Sequence, residues 1–508
     1  RHINSITDLH TNFSCYSSKA MTGGDVLVKN IIPKHMDSLT AKLDEMNVTI
    51  EEHDDSIRVT ANRPLHCANV KTMSYPGFPT DLQPQIAALL SVCQGQSVIT
   101  ENVWDNRYQY IDELRKMGAQ VQIDGRVARI DGIPRFHGAN VTATDLRAGA
   151  AMILAALAAE GESVIDGEGG VLTPGLIDIH SHIGLYEDGL GFEGADGNED
   201  TDPATPHLRA LDGVNPFDRS FREALEAGVT AAAVSPGSAN PIGGQIALLK
   251  TAGRRVDDMI LKAPLAIKFA LGENPKSVYH DKDETPVTRM ATAGIIREEL
   301  YKAKEYFSRK ARAENDPDQD EPDFDIKMEA LQPLLWGKAE AHFHAHRADD
   351  IFTALRIAKE FGLRAVIIHG TEAHLVADLL AEEHVPVVSG PYMTDRSKPE
   401  IRNLSDAAPG LLCKAGIETA ITVDHPEIPL RLLPMALMLA VRAGMDKTDA
   451  LRAVTSVPAK IAGMQDRIGS LKTGLDADCV LWSGDPLDIA TQVQAVFVNG
   501  TPEYRRTK

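Results

Sequence analysis

Pro174-Gly175-Leu176-Ile177-Asp178-Ile179-His180-Ser181-His182 is the stretch on which the reading of this chain turns. A Pro-Gly turn leads into an apolar run with the character of a strand, and residues i and i+2 of a strand face the same way. His180 and His182 therefore aim two imidazoles at one point, where both could bind a single zinc ion at about 2.0–2.1 Å. Alone, such a pair is equally well two ordinary histidines, one of them hydrogen-bonded in a core.

The downstream sequence weighs for the metal. From about 166 to 505, apolar β-like runs alternate with amphipathic helices such as 349–361 and 372–382, a pattern that predicts a parallel α/β architecture. The expected strands are 228–234, 245–249, 265–271, 339–344, 365–369, 385–388 and 419–423. Seven or eight such units fit a TIM-type (β/α)8 barrel, whose chemistry sits at the C-terminal ends of the strands. Three of these runs end in metal-ligand residues: Ala341-His342-Phe343-His344-Ala345-His346-Arg347, Val366-Ile367-Ile368-His369-Gly370 and Ile421-Thr422-Val423-Asp424-His425. His342, His344 and His346 share one side, so some of them are ligands and the others second contacts. Mid-strand in Leu265-Ala266-Ile267-Lys268-Phe269, Lys268 is an ammonium in apolar surroundings, where a free charge is costly; an amine paired with a neighbouring carboxylate is the plain alternative.

With Val171-Leu172-Thr173-Pro174-Gly175-Leu176-Ile177-Asp178, Gly272-Glu273-Asn274-Pro275, His344-Ala345-His346-Arg347-Ala348-Asp349-Asp350 and the tail Gly469-Ser470-Leu471 through Gly484-Asp485-Pro486, this order resembles the amidohydrolase superfamily, in the branch of imidazolonepropionases and Xaa-Pro dipeptidases. The resemblance implies one or two divalent ions, zinc first among them, held by His180, His182, His344, His369 and Asp424, with carbamylated Lys268 or, instead, Glu273 as the bridge. It implies hydrolysis of an amide or cyclic amide by metal-activated water, Asp424 taking the proton and returning it to the amine. His346, Arg347 and His425 are the further candidates beside the substrate or its oxyanion.

Upstream, residues 20–165 contain an internal repeat. Thr80-Asp81-Leu82 opens a helix-like run ending at Gly95-Gln96-Ser97-Val98-Ile99, and Thr144-Asp145-Leu146 opens another ending at Gly161-Glu162-Ser163-Val164-Ile165. Val26, Asn30, Leu43 and Met46 match Val98, Asn102, Leu114 and Met117, so each unit predicts strand, helix, strand, helix and strands. The third unit breaks off at Asp166-Gly167-Glu168-Gly169-Gly170. The motifs Tyr75-Pro76-Gly77-Phe78-Pro79-Thr80-Asp81, Glu101-Asn102-Val103-Trp104-Asp105-Asn106-Arg107 and Ala143-Thr144-Asp145-Leu146-Arg147 resemble the enolpyruvyl transferase family, in its branch acting on UDP-N-acetylglucosamine for peptidoglycan precursors. That resemblance implies that Asp81 handles the sugar hydroxyl proton and that Arg107 and Arg147 lie near the substrate cleft. The family's loop cysteine and N-terminal domain have no counterpart here, so an inactive remnant is the expectation for this part.

The domain order expected is 1–19 unassigned, 20–165 the partial transferase, 166–465 the barrel and 466–508 the strands of a partial β-sandwich. The amidohydrolase strands that ordinarily precede the barrel are missing, and the join falls at Val164-Ile165-Asp166, which reads as a fusion of two incomplete genes. Of 508 residues 43% are hydrophobic and 24% charged, giving ample core, and the formal charge of −20 argues against nucleic acid. No 18-residue apolar window or signal peptide is evident, so a cytoplasmic protein off the membrane is expected, with a small-molecule substrate and room for a homo-oligomer. The five cysteines have no CxxC spacing and read as reduced thiols. The acidic stretches 191–202 and 316–325 read as solvated loops, the first with an alternative as a substrate loop for a cation.

Overall fold

Repeated sequence becomes repeated topology in the first part of the chain. The computed structural model describes residues 2–4, 9–29, 31–61, 64–166, 170–187, 189, 191–316 and 318–506. Its contacts divide the chain into two compact units, Arg1–Leu172 and Thr173–Lys508. In the first, strands His2–Asn4, Asp25–Lys29, Ser56–Ala61 and Val48–Glu52 lie side by side in that order, and Asn69–Lys71, Gln96–Thr100, Val127–Asp131 and Gln120–Asp124 repeat the arrangement. Each sheet opens with a parallel pair and continues antiparallel. A parallel pair needs a crossover, and the helices Leu9–Thr22 and Gln83–Leu90 supply it.

The third repeat starts the same way: Asn140–Thr142 pairs parallel with Val164–Asp166 across the helix Leu146–Leu157. Asp145 caps that helix, accepting from the backbone N–H of Arg147 and Ala148. Phe13, Tyr16, Ile86, Leu90, Ala151 and Met152 from the three helices share one buried core. The segment 1–19, without an assignment from sequence, thus supplies the first strand and most of the first helix of this pattern. The break in the third repeat falls partly on residues 167–169, outside the described residues.

The second unit is an eight-stranded sheet curled into a nearly closed barrel, with strands β1 Leu176–Ser181, β2 Val229–Val234, β3 Ile242–Lys250, β4 Ile260–Ala270, β5 Glu340–Ala345, β6 Ala365–His369, β7 Val387–Ser389 and β8 Thr419–Ile421 in sheet order. Alternation along each strand sorts the side chains. Ile267, Phe269, Ala341, Phe343 and Ala345 pack outward with the helices, which leaves Lys268, His342 and His344 on the opposite, inner face. Helices α1 Arg219–Glu226, α2 Glu273–His280, α3 Arg289–Asn315, α4 Ile326–Leu335 and α5 Ala348–Phe361 flank the strands. First and last strands are stitched by Thr422 Oγ1 donating to the His180 carbonyl at 2.6 Å and His182 N–H donating to the His425 carbonyl at 2.8 Å.

One strand departs from the all-parallel expectation. β3 runs antiparallel to both β2 and β4. The reason is connection length: residues 235–241 and 251–259 are too short for the crossover of a dozen or more residues that parallel neighbours require. In the tail, Cys479–Trp482, Val493–Val498 and Thr501–Arg505 pair antiparallel. Trp482 Nε1 donates to Thr173 Oγ1 at 2.8 Å and Gly175 N–H to the Asp478 carbonyl at 2.9 Å, so the segment leading into β1 runs alongside Cys479–Trp482 at the edge of that small sheet. Among the described residues no helix is long and apolar enough to cross a membrane.

Candidate metal centre

The strand ends bring seven of the predicted residues together. His180, His182 and Asp424 form one buried group and His344, His346 and His369 another, the ligand atoms within each lying inside 4.8 Å of one another. The His180 and His369 rings, 5.2 Å between centroids, join the two groups. Lys268 is fully buried, with Nζ 3.4 Å from His180 Nε2.

Each imidazole but one is held by its outer nitrogen. His182 Nδ1 meets the Ser235 carbonyl at 2.6 Å, His369 Nδ1 the Gly390 carbonyl at 2.8 Å, His346 Nδ1 Thr371 Oγ1 at 2.8 Å and His344 Nδ1 Ser238 Oγ at 3.0 Å. An anchored Nδ1 fixes the ring and leaves Nε2 as the open lone pair, as second contacts to metal-binding histidines do. His344 Nε2 is buried with no hydrogen-bond partner, and Asp424 Oδ1 faces the Nε2 atoms of His180 and His182 at 3.2 and 3.3 Å without hydrogen-bond alignment. Orphaned buried acceptors cost about 1–3 kcal/mol each, and a cation between them removes that cost. These residues fit a divalent ion.

The electrostatics point the same way. Burial holds His180, His344 and His346 well below the ordinary histidine value and draws His369 down to about 4, so the rings are neutral donors. Burial acts to raise the Asp424 carboxyl, but His369, His180 and His182 outweigh it and hold it well below the usual range. Burial also brings Lys268 down to about 8, against the pull of Asp424, and lifts Asp178 to about 7. Asp178 clamps the two ligand strands, accepting from the backbone N–H of His180 at 3.0 Å and of Val423 at 3.1 Å. His369 and Asp424 both take left-handed backbone, φ 72° and 54°, at the ends of their strands; such conformations outside glycine collect at functional sites.

Other candidates lie apart from these groups. His342, one layer deeper on β5, is fully buried and 3.4 Å from Glu340 Oε2. Arg347 is half-exposed and gripped by Asp349 through two bonds of 2.9 Å. Glu273 begins α2, where its backbone N–H donates to Glu400 Oε2. His425 accepts from the Leu430 N–H. In the acidic loop 191–202, Asp200 and Asp202 are ion-paired to Lys282 and Lys327, and 316–325 joins α3 to α4, with residue 317 outside the described residues.

Sequence reasoning missed Glu400, which is buried, with Oε1 3.7 Å from His346 Nε2 and 3.0 Å from Lys398 Nζ. It sits on a short 3-10 turn rather than at a strand end, so no periodic signal marks it. Tyr186, whose ring stands edge-on to His182 at 5.9 Å, could have been found from its place four residues beyond the His-x-His pair. In the first unit, Asp81 Oδ1 meets Arg107 Nη2 at 3.2 Å and Arg147 Nε at 2.6 Å, bringing its three candidates together.

Comparison with known proteins separates the same two regions. Residues 334–504 match the amidohydrolase family model, and an amidohydrolase from Thermotoga maritima MSB8 is 46% identical, with a TM-score of 0.66, over 68% of this chain and 91% of that one. The chain belongs to the amidohydrolase family. Members of this family generally bind divalent metals, and the two histidine groups at the barrel mouth could hold them. Residues 8–173 match the model for EPSP synthase (3-phosphoshikimate 1-carboxyvinyltransferase). There the chain is 53% identical over 146 residues to UDP-N-acetylglucosamine 1-carboxyvinyltransferase 2 of Clostridium acetobutylicum, and 56% over 142 residues to UDP-N-acetylglucosamine 1-carboxyvinyltransferase 3 of Caldanaerobacter subterraneus subsp. tengcongensis. It spans 35% and 34% of those curated relatives, 29% and 28% of its own length. An enolpyruvyl-transferase-like region thus precedes an amidohydrolase.

Proposed function

We propose that the second unit is a metal-dependent hydrolase of carbon–nitrogen bonds in small amides or cyclic amides. The convergence of His180, His182 and Asp424 with His344, His346 and His369 around buried Lys268 carries this reading. His180, His182 and Asp424 would hold one ion and His344, His346 and His369 a second, with Lys268, carbamylated on Nζ, between them. A divalent ion, zinc first, supplies Lewis acidity there, acidifying a water and polarising the scissile carbonyl. Asp424, its carboxyl held well below the usual range, accepts the proton of the attacking water at Oδ1 and delivers it to the departing nitrogen. Thr422 Oγ1 accepts from the Asp424 N–H at 2.9 Å and fixes that carboxylate's backbone. Asp178 keeps β1 and β8 in register so that the ligands stay aimed. Metal analysis of the 508-residue chain should find about one to two zinc equivalents, lost in His180→Ala together with hydrolysis of at least one member of a screen of dipeptides, N-acyl amino acids and cyclic amides. Folded protein that takes up no metal would sink the proposal.

A second reading concerns the first unit. The meeting of Arg107 and Arg147 on Asp81 favours a retained contact for a UDP-sugar without transferase turnover. Titration with UDP-N-acetylglucosamine should show binding that Arg147→Ala abolishes; absence of binding in the wild type removes this reading.

A further inference from the structure

The two groups of donors at the barrel mouth differ in charge. His180 and His182 face a carboxylate, Asp424, whereas His344, His346 and His369 are three neutral rings with no anion among them. A carbamate on Lys268 would be shared between two ions, so it leaves that difference in place. A divalent ion among buried imidazoles alone is an uncompensated charge, which is costly.

One more buried carboxylate approaches the second group. Glu400, 1% exposed, stands on the turn Pro399–Ile401 between β7 and β8. Its two oxygens are not equivalent. Oε2 accepts from the Glu273 N–H at 2.8 Å, which fixes the carboxylate, and Oε1 lies 3.7 Å from His346 Nε2. That separation is too long for a hydrogen bond. Among the described residues Oε1 has no aligned donor, since Lys398 Nζ, 3.0 Å away, gives its hydrogen bond to Asn274 Oδ1. Asp424 bears the same marks: its Oδ1 is buried and unaligned, 3.2 and 3.3 Å from two imidazole nitrogens. At such distances in a buried site a carboxylate acts on a cation by charge, with or without direct contact. Lys398 works in the opposite sense, its ammonium pushing the His344, His346 and His369 rings toward the neutral form.

We propose that Glu400 is the counter-charge of the second ion, a positioning residue outside the barrel strands that decides whether the His344, His346 and His369 group is filled. Lys398 tempers it. This rests on the metal-dependent reading of the centre.

Calorimetric zinc titration of the metal-stripped 508-residue chain, with bicarbonate present, tests it. Wild type should take up a second equivalent, identified as the one that His344→Ala loses. Glu400→Gln keeps the side chain's shape and its contact with the Glu273 N–H. It should bind the first equivalent as wild type does and the second about tenfold more weakly or worse. Lys398→Met should bind the second about threefold more tightly or better. The opposite signs separate charge from scaffolding. Both residues tie the 398–400 segment to α2, through Asn274 and the Glu273 N–H, and loosening that tie in either variant would weaken the second ion. Second-ion affinity within about threefold of wild type in Glu400→Gln, or weakened in both variants, overturns the proposal. Should circular dichroism show Glu400→Gln unfolded, Lys398→Met decides alone, and a second ion bound no more tightly than in wild type overturns it. A wild type that takes up one equivalent only overturns the proposal and spares a one-ion hydrolase. Folded protein that takes up none overturns the hydrolase reading itself.

Discussion

Asp424 has two jobs at one residue: its carboxylate faces the histidines, and its backbone sits at φ 54°. Asparagine tolerates that backbone and cannot accept the proton. Asp424→Asn should therefore fold normally by circular dichroism yet lose at least 100-fold in kcat; activity within tenfold of wild type would contradict its role as base. The histidines make a separate prediction about pH. His369 titrates near 4 in the folded chain, by burial first, against about 6.5 in an unfolded one. Between those values the unfolded chain binds more protons, so the contribution is complete above about pH 6.5 and is lost as pH falls toward 4, roughly 3 kcal/mol for this residue alone. Melting curves of chelator-treated protein at pH 7, 5.5 and 4.5 should show a steadily falling Tm, and a flat Tm would refute it.

At the scale of elements, β1 lies so close to β2 that a Cβ on Gly175 would stand 2.0 Å from Thr230 Oγ1. No rotamer of Thr230 clears it, since Cγ2 and Cβ are also within 2.7 Å. Gly175→Ala should push the first ligand strand outward, lowering Tm by several degrees and weakening zinc binding, with part of both recovered in Gly175→Ala with Thr230→Gly. A melt and zinc content equal to wild type would show that the strands can part at no cost. The ligand strands were legible because apolar runs ending in His or Asp carry their own punctuation, and residues 176–182, 340–346 and 365–369 follow the spacing read from sequence. β3 was less so: Gly243-Gly244 hides the start of the strand, and its direction is written in the length of the flanking loops. Glu400 was not legible at all, because a buried carboxylate eleven residues past the end of β7 reaches His346 through tertiary folding and not through periodicity.

Across the whole molecule, chemistry and repetition occupy different units. All six metal-group residues lie in Thr173–Lys508, whereas the repeated sheets lie in Arg1–Leu172. Zinc should accordingly slow amide hydrogen exchange in peptides covering 176–182, 340–346, 365–369 and 419–424 and leave 25–131 unchanged; protection spread evenly over both would contradict a centre confined to the barrel. The internal repeat was readable because two copies confirm each other, Val164-Ile165 included, while the parallel partner of that strand at 140–142 shows only in the fold. Backbone handedness also limits how the centre can be re-engineered. Among the described residues the non-glycine positions with left-handed backbone are Asn47, Asn106, Asp283, His369, His384, Asp424 and Asn499, all of them Asn, Asp or His. Positions 369 and 424 therefore draw on a short alphabet, and a cysteine there would carry about 1–3 kcal/mol of backbone strain before meeting any ion. A designer wishing to convert this centre to a thiolate-loving metal such as copper(I) would have to work through positions 180, 182, 344 and 346, because the chain itself vetoes sulfur at the other two.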